Sequence, residues 1–144
     1  MVETPRPIKV RRPDNLQDPK YLAFKNRYPL ASYPEYLVFW WLEKHGYREF
    51  EDFWYQVDFI GGRGARGGLV ADFLLEFTNP RTIIEVYGVV FHTAPVRRGP
   101  QTLADDIIRK AFYEAKGFRF IRCRDTDLVN RLDYTMRAAV NGIE

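Results

Sequence analysis

The sequence predicts an α/β fold, a mixed β-sheet of about four strands flanked by helices, and two observations carry that expectation. Three segments of strand character follow one another between residues 53 and 91, and a strand-helix-strand passage then runs from 82 to 123. Tight turns join antiparallel neighbours, whereas a helix between two strands implies a right-handed crossover that returns the chain parallel to a strand already laid down. At 144 residues, 46% hydrophobic and 16% aromatic, the chain is long enough to bury a core and fits one domain.

The elements follow in order. Residues 1–20 hold four prolines and the cluster Lys9-Val10-Arg11-Arg12, a composition that resists helix and strand alike, so residues 1–31 read as a basic, proline-rich arm ahead of a domain at 32–144. S-Y-P-E-Y-L-V-F-W-W-L-E-K-H-G predicts a helix from about Pro34 to His45, with Ser32 as N-cap, proline in the first turn and Gly46 as stop. Phe53 to Ile60 is a strand, G-G-R-G-A-R-G-G at 61–68 a positively charged hairpin loop, and Leu69 to Phe77 a second strand. That loop lacks a P-loop's G-K-[ST] ending, so it does not read as a nucleotide cradle. A turn at 78–81 leads to a third strand over Thr82–Phe91. Thr102 caps a helix from about Leu103 to Lys116, Gly117 ends it, and Phe118–Cys123 is a fourth strand. Asp125 or Thr126 caps a last helix over Asp127–Val140.

Composition narrows function less than fold. A single cysteine, Cys123, rules out an internal disulfide and a cysteine-based zinc site and points to a reducing compartment, with the thiol itself a core residue. No stretch approaches the roughly 18 apolar residues a membrane helix needs, and the first residues lack a signal peptide's apolar core, so the expected location is cytoplasmic. The net charge of +3 is compatible with a polyanionic partner without demanding one.

Two carboxylates stand out. Asp72 lies within L-V-A-D-F-L-L and Glu85 within T-I-I-E-V-Y-G-V-V-F-H, both in strands that look buried. A buried unpaired carboxylate costs several kcal/mol, so each calls for a metal, an arginine or an edge position. The turn at 78–81 places the two roughly opposite each other on one hairpin. Two carboxylates on adjacent strands are the minimum protein contribution to a magnesium site, and a divalent ion so held activates water and neutralises phosphate charge.

The order helix-Glu35, Phe53-Trp54-Tyr55-Gln56, Ala71-Asp72-Phe73, Ile84-Glu85-Val86-Tyr87-Gly88, His92, Asp106-Ile107-Ile108-Arg109 and Gly117-Phe118-Arg119-Phe120-Ile121-Arg122 resembles the PD-(D/E)XK nuclease superfamily. It is most similar to the branch of the very-short-patch repair endonuclease and its small relatives, over residues 32–142. The resemblance implies a restriction-endonuclease-like sheet and a magnesium- or manganese-dependent DNA endonuclease acting in repair, recombination or the processing of phage or mobile-element DNA. It implies Asp72 and Glu85 as metal ligands, Glu35 as an accessory ligand, His92 near the scissile phosphate, and Gln56, Asp106 and Arg109 as supporting groups. The position that often holds a water-orienting lysine in the superfamily holds Tyr87 here, as the close relatives also lack that lysine; Gln56, Lys110 and His92 are the candidates for its role. Arg11, Arg12, Arg63, Arg66, Arg97, Arg98 and Arg109 would contact the DNA backbone, and a homodimer or larger DNA-processing complex is compatible with this picture.

Plainer readings stand beside these. Glu35 follows Ser32 by three and would close a capping box, Asp106 suits a helix N-terminus, Arg109 would pair with Asp105 on a solvated face, and His92 would be an ordinary polar residue. Tyr87 also leaves room for a catalytically silent nuclease-fold module that binds DNA or serves in an assembly such as a phage particle. An RNA-binding domain that stacks bases on its aromatics fits less well, because most of those residues fall in core patterns.

Overall fold

The computed structural model describes residues 18–60, 69–88 and 103–144, with the side chains at 60 and 103–106 outside that description. The basic arm, the 61–68 loop and the 89–102 segment with His92, Arg97 and Arg98 lie outside the described residues. Helices α1 (Pro19–Arg27) and α2 (Tyr33–Lys44) precede strands β1 (Phe53–Ile60), β2 (Leu69–Leu75) and β3 (Thr82–Tyr87); α3 (Leu103–Ala115), β4 (Arg119–Arg124), α4 (Asp125–Asn130) and α5 (Leu132–Val140) follow. The strands form one mixed sheet in the order β1-β2-β3-β4. Its first two pairings are antiparallel and the β3–β4 pairing is parallel, as expected of strands separated by α3. The α/β architecture with four strands and flanking helices is therefore as the sequence predicted. No helix among the described residues is long and apolar enough to cross a membrane.

The helix at 33–44 starts where its caps place it. Ser32 Oγ accepts from Glu35 N, and the Glu35 carboxylate accepts from Ser32 N, so the capping box is closed at both ends. Nine of its residues are buried, Tyr33 through Leu42 with the exception of Glu35. It packs with α4 and α5 on one face of the sheet.

Helix α1 corrects the expected boundary of the N-terminal arm. Residues 19–27 are helical, with Asp18 as N-cap accepting from Lys20 N at 2.8 Å and Pro19 in the first turn. Tyr21 and Phe24, three apart, are buried against α2, so the packed body begins near residue 18 rather than 32. The prolines nearby mask this in sequence, although Asp18-Pro19 is itself a helix-start signal. The last helix is also broken, because Arg131 leaves the helical region (φ −141°, ψ 51°) and separates α4 from α5. Strand β2 stops at Leu75, two residues early, although Glu76 N still donates to Asp52 O at 2.8 Å, one step further along the β1–β2 register.

The sheet separates two cores of unequal size. The larger gathers α1, α2, α4 and α5 against Phe53, Tyr55, Phe73, Leu75 and Ile84; the smaller holds Ala71, Leu74, Ile83, Tyr113, Phe118 and Phe120, with Val57 and Phe59 packed on it. A regular strand keeps alternate residues on one face. On β1, however, Phe53 and Tyr55 serve the larger core while Val57 and Phe59 serve the smaller, and on β2 Phe73 and Ala71 divide the same way. The face changes at Gln56 and Asp72, which lie between the paired residues Tyr55↔Phe73 and Val57↔Ala71.

Two outcomes follow. Phe24 touches the rings of Tyr28, Tyr36, Phe39 and Tyr55 with centroids 4.9–5.5 Å away, so Phe24→Ala should cost about 3–5 kcal/mol in urea denaturation; a loss under about 1 kcal/mol would mean α1 is not part of the core. Burial pushes the Cys123 thiol up to about 12 from the ordinary 9.0. Native protein should resist iodoacetamide at pH 8 and react only when unfolded. The thiol's contribution to stability is full below about pH 9 and is lost as pH rises toward about 12, because only the unfolded chain releases that proton in between.

Candidate metal and phosphate site

Asp72 is where the β2–β3 ladder gives way. Its last backbone pair is Phe73↔Ile84, and one step further in the same register Asp72 stands opposite Glu85. There the Asp72 carboxylate, not a backbone carbonyl, accepts the Val86 N–H at 2.8 Å through Oδ2. A charge-assisted bond of this kind offsets part of the cost of burying a carboxylate that is only 9% exposed. Oδ1 lies 3.5 Å from Gln56 Nε2, a long contact. Gln56 itself has φ +61°, a left-handed conformation that costs a non-glycine residue of order 1–2 kcal/mol. Backbone strain of this sort is maintained by its surroundings and concentrates at functional positions.

Glu85, 6% exposed, is on the α3 side of the sheet, where Arg109 Nη2 makes an ion pair with its Oε1. The same Nη2 donates to Val70 O at 3.2 Å. Burial works against the Arg109 charge, but Glu85 and, to a lesser degree, Asp72 outweigh it and hold the guanidinium's pKa above its ordinary value. Arg109 is 4% exposed and bound to Glu85, so it is neither on a solvated face with Asp105 nor at the surface to meet DNA, which corrects those two of its three sequence readings.

Glu35 sits on the other side of the sheet. Besides closing the capping box, its Oε2 accepts from Tyr55 OH at 3.1 Å. Burial, with Glu35 and Asp72 adding to it, drives the Tyr55 pKa far upward, so this hydroxyl stays a neutral donor. Glu35 and Asp72 both act on the Tyr55 hydroxyl, and among the described residues no group of three Asp, Glu, His or Cys side chains able to hold a metal is found. Asp72 and Glu85 are the pair that the fold brings together. The side chains of His92 and Asp106 lie outside the described residues, and Lys110 is half-exposed and pairs with Glu114 at 3.6 Å, away from the site.

Tyr87 is half-buried at the end of β3, and the parallel register places it beside Arg124 and Glu85 beside Arg122. The Arg122 and Arg124 guanidinium carbons lie 5.1 and 6.0 Å from the Tyr87 ring centre. Arg122 also binds Glu144 at 3.0 Å. Arg124 is fully exposed and hydrogen-bonds Tyr87, which favours its charged form. Tyr87 therefore presents an aromatic ring beside two cations.

Sequence reasoning took Asp125 only as a candidate helix cap and did not single out Arg124, whereas Arg124 is the N-cap residue and Asp125 the first residue of α4. Asp125 is buried and, with Ser32, Glu35, Tyr87 and Gly88, lines a small pocket at the start of α2. Gly88 (φ +146°) makes this approach possible, since a Cβ there would come within 2.1 Å of the Asp125 carboxylate. The available signal was the alternation R-F-I-R-C-R followed by D-T, which puts Arg122 and Arg124 on one face and an acid at the strand's end.

Compared with protein-family models, with curated proteins and with solved structures, the chain gives no significant match. The functional reading therefore rests on the residues themselves.

The strain at Gln56 is directly testable. Gln56→Gly should be more stable than Gln56→Ala by about 1–2 kcal/mol in chemical denaturation, because only glycine accepts φ +61° without penalty. Equal stabilities would mean that the backbone relaxes out of this conformation.

Proposed function

We propose that the chain is a magnesium- or manganese-dependent DNA endonuclease of the PD-(D/E)XK type, with Asp72 and Glu85 as the residues that would hold the ion. The observation that supports this best is the break in the β2–β3 ladder, where two carboxylates meet on neighbouring strands beside a strained glutamine. Their donor chemistry fits a hard divalent ion, which takes one or two carboxylates and keeps the rest of its shell for water and phosphate oxygens. Such an ion supplies an activated water and neutralises charge on the phosphate. The Val86 N–H fixes Asp72 in position, Gln56 lies against its other oxygen, and Arg122 and Arg124 around Tyr87 give positive charge at the strand ends where a DNA backbone would run. The work would be repair, recombination or phage and mobile-element DNA processing, in a cytoplasmic setting; Glu35 has no part as ligand in this form of the proposal.

A second reading has its own observation. Arg109 on Glu85, and Tyr87 where a lysine would serve, suit a catalytically silent nuclease-fold module that binds DNA or joins an assembly.

Incubation of the purified chain with supercoiled, linear, mismatched and branched DNA and either ion distinguishes them. The endonuclease reading expects cleavage, reduced about a thousandfold by Asp72→Asn or Glu85→Gln, a loss of several kcal/mol of charge stabilisation. Intact DNA on every substrate, with no Asp72-dependent manganese binding in calorimetry, overturns the enzyme and leaves the silent module.

A further inference from the structure

Arg109 is the one buried base among the described residues, and its bonding is lopsided. Nη2 alone serves both Glu85 and the Val70 carbonyl, while Nε and Nη1, both buried, have no hydrogen-bond partner among the described residues. An arginine kept only to neutralise a carboxylate ordinarily uses its planar fork on both oxygens. This one is held by a single nitrogen, and it draws electrostatic support from Asp72 as well as from Glu85. The guanidinium therefore takes up the positive charge that the opposed pair calls for.

We propose that Arg109 is a resident competitor for the divalent ion: it compensates Glu85 while the pair holds no metal, and it must release Glu85 Oε1 when a divalent ion engages Asp72 and Glu85. This inference rests on the metal-site reading above. Two cations on one carboxylate repel each other strongly in a poorly hydrated site. Metal affinity is accordingly set lower than the two carboxylates alone would give. The arrangement has a structural advantage too, because Glu85 is never left as an uncompensated buried charge. The two idle nitrogens leave the guanidinium with donors to use when it withdraws.

The test is manganese titration of the full chain by calorimetry, followed by electron paramagnetic resonance, with thermal melting in parallel. Arg109→Met should melt lower than the parent without metal, bind Mn2+ about tenfold or more tightly than the parent, and gain more in melting temperature on adding it. Arg109→Lys, which keeps one charge but loses the fork, should shift in the same direction by less, and it serves if the methionine variant does not fold. Asp72→Asn identifies the site being titrated. If the parent binds Mn2+ in an Asp72-dependent way and a folded Arg109 variant binds it equally or more weakly, Arg109 is not a competitor and this inference alone fails. If no variant binds Mn2+, the metal-site reading fails and takes the inference with it.

Discussion

A carboxylate standing in for a backbone carbonyl organises this molecule. By taking the Val86 N–H, Asp72 ends regular pairing between β2 and β3 at Phe73↔Ile84 without leaving that donor unsatisfied. The strand faces change over at the same level, so Gln56 is held left-handed and Tyr55 and Val57 turn to opposite cores. Glu85 is then presented to α3 and Arg109, while Tyr55 carries its hydroxyl to Glu35 on the opposite side.

Much of this was legible in sequence, and what was not has physical causes. The capping box Ser32–Glu35 and the turn after β2 are local, and local chemistry located α2 and placed Asp72 opposite Glu85 before any long-range contact was considered. Helix α1 was hidden because proline-rich composition argues against a helix on average, whereas one proline after Asp18 favours its start. Arg109 was misread because Asp105, four residues earlier, offered a nearer partner than Glu85 in another element; sequence spacing shows the helix face but not what the sheet presents to it. The capping role of Glu35 was legible from its spacing to Ser32, whereas its bond to Tyr55 in another element was not.

Tyr87 bears on how a phosphate would be met. A lysine is a mobile point charge, whereas a ring flanked by Arg122 and Arg124 is a flatter, stiffer surface whose charge is carried by its neighbours. Such a surface suits contact with an extended backbone more than delivery of one proton. Gly88, next in sequence, lets the Asp125 carboxylate sit against the main chain there, so acid and base lie close together at the strand's end.

The inequality of the two cores has a mechanical meaning. Twenty-two buried apolar residues hold α1, α2, α4 and α5 to one side of the sheet, and six hold the α3 side, counted among the described residues. Local opening favours elements with few apolar contacts, and among the described residues α3 contributes fewer of them than α2 does. Arg109 rides on that helix. The helix on the side of the smaller described core thus carries the base that is paired with Glu85.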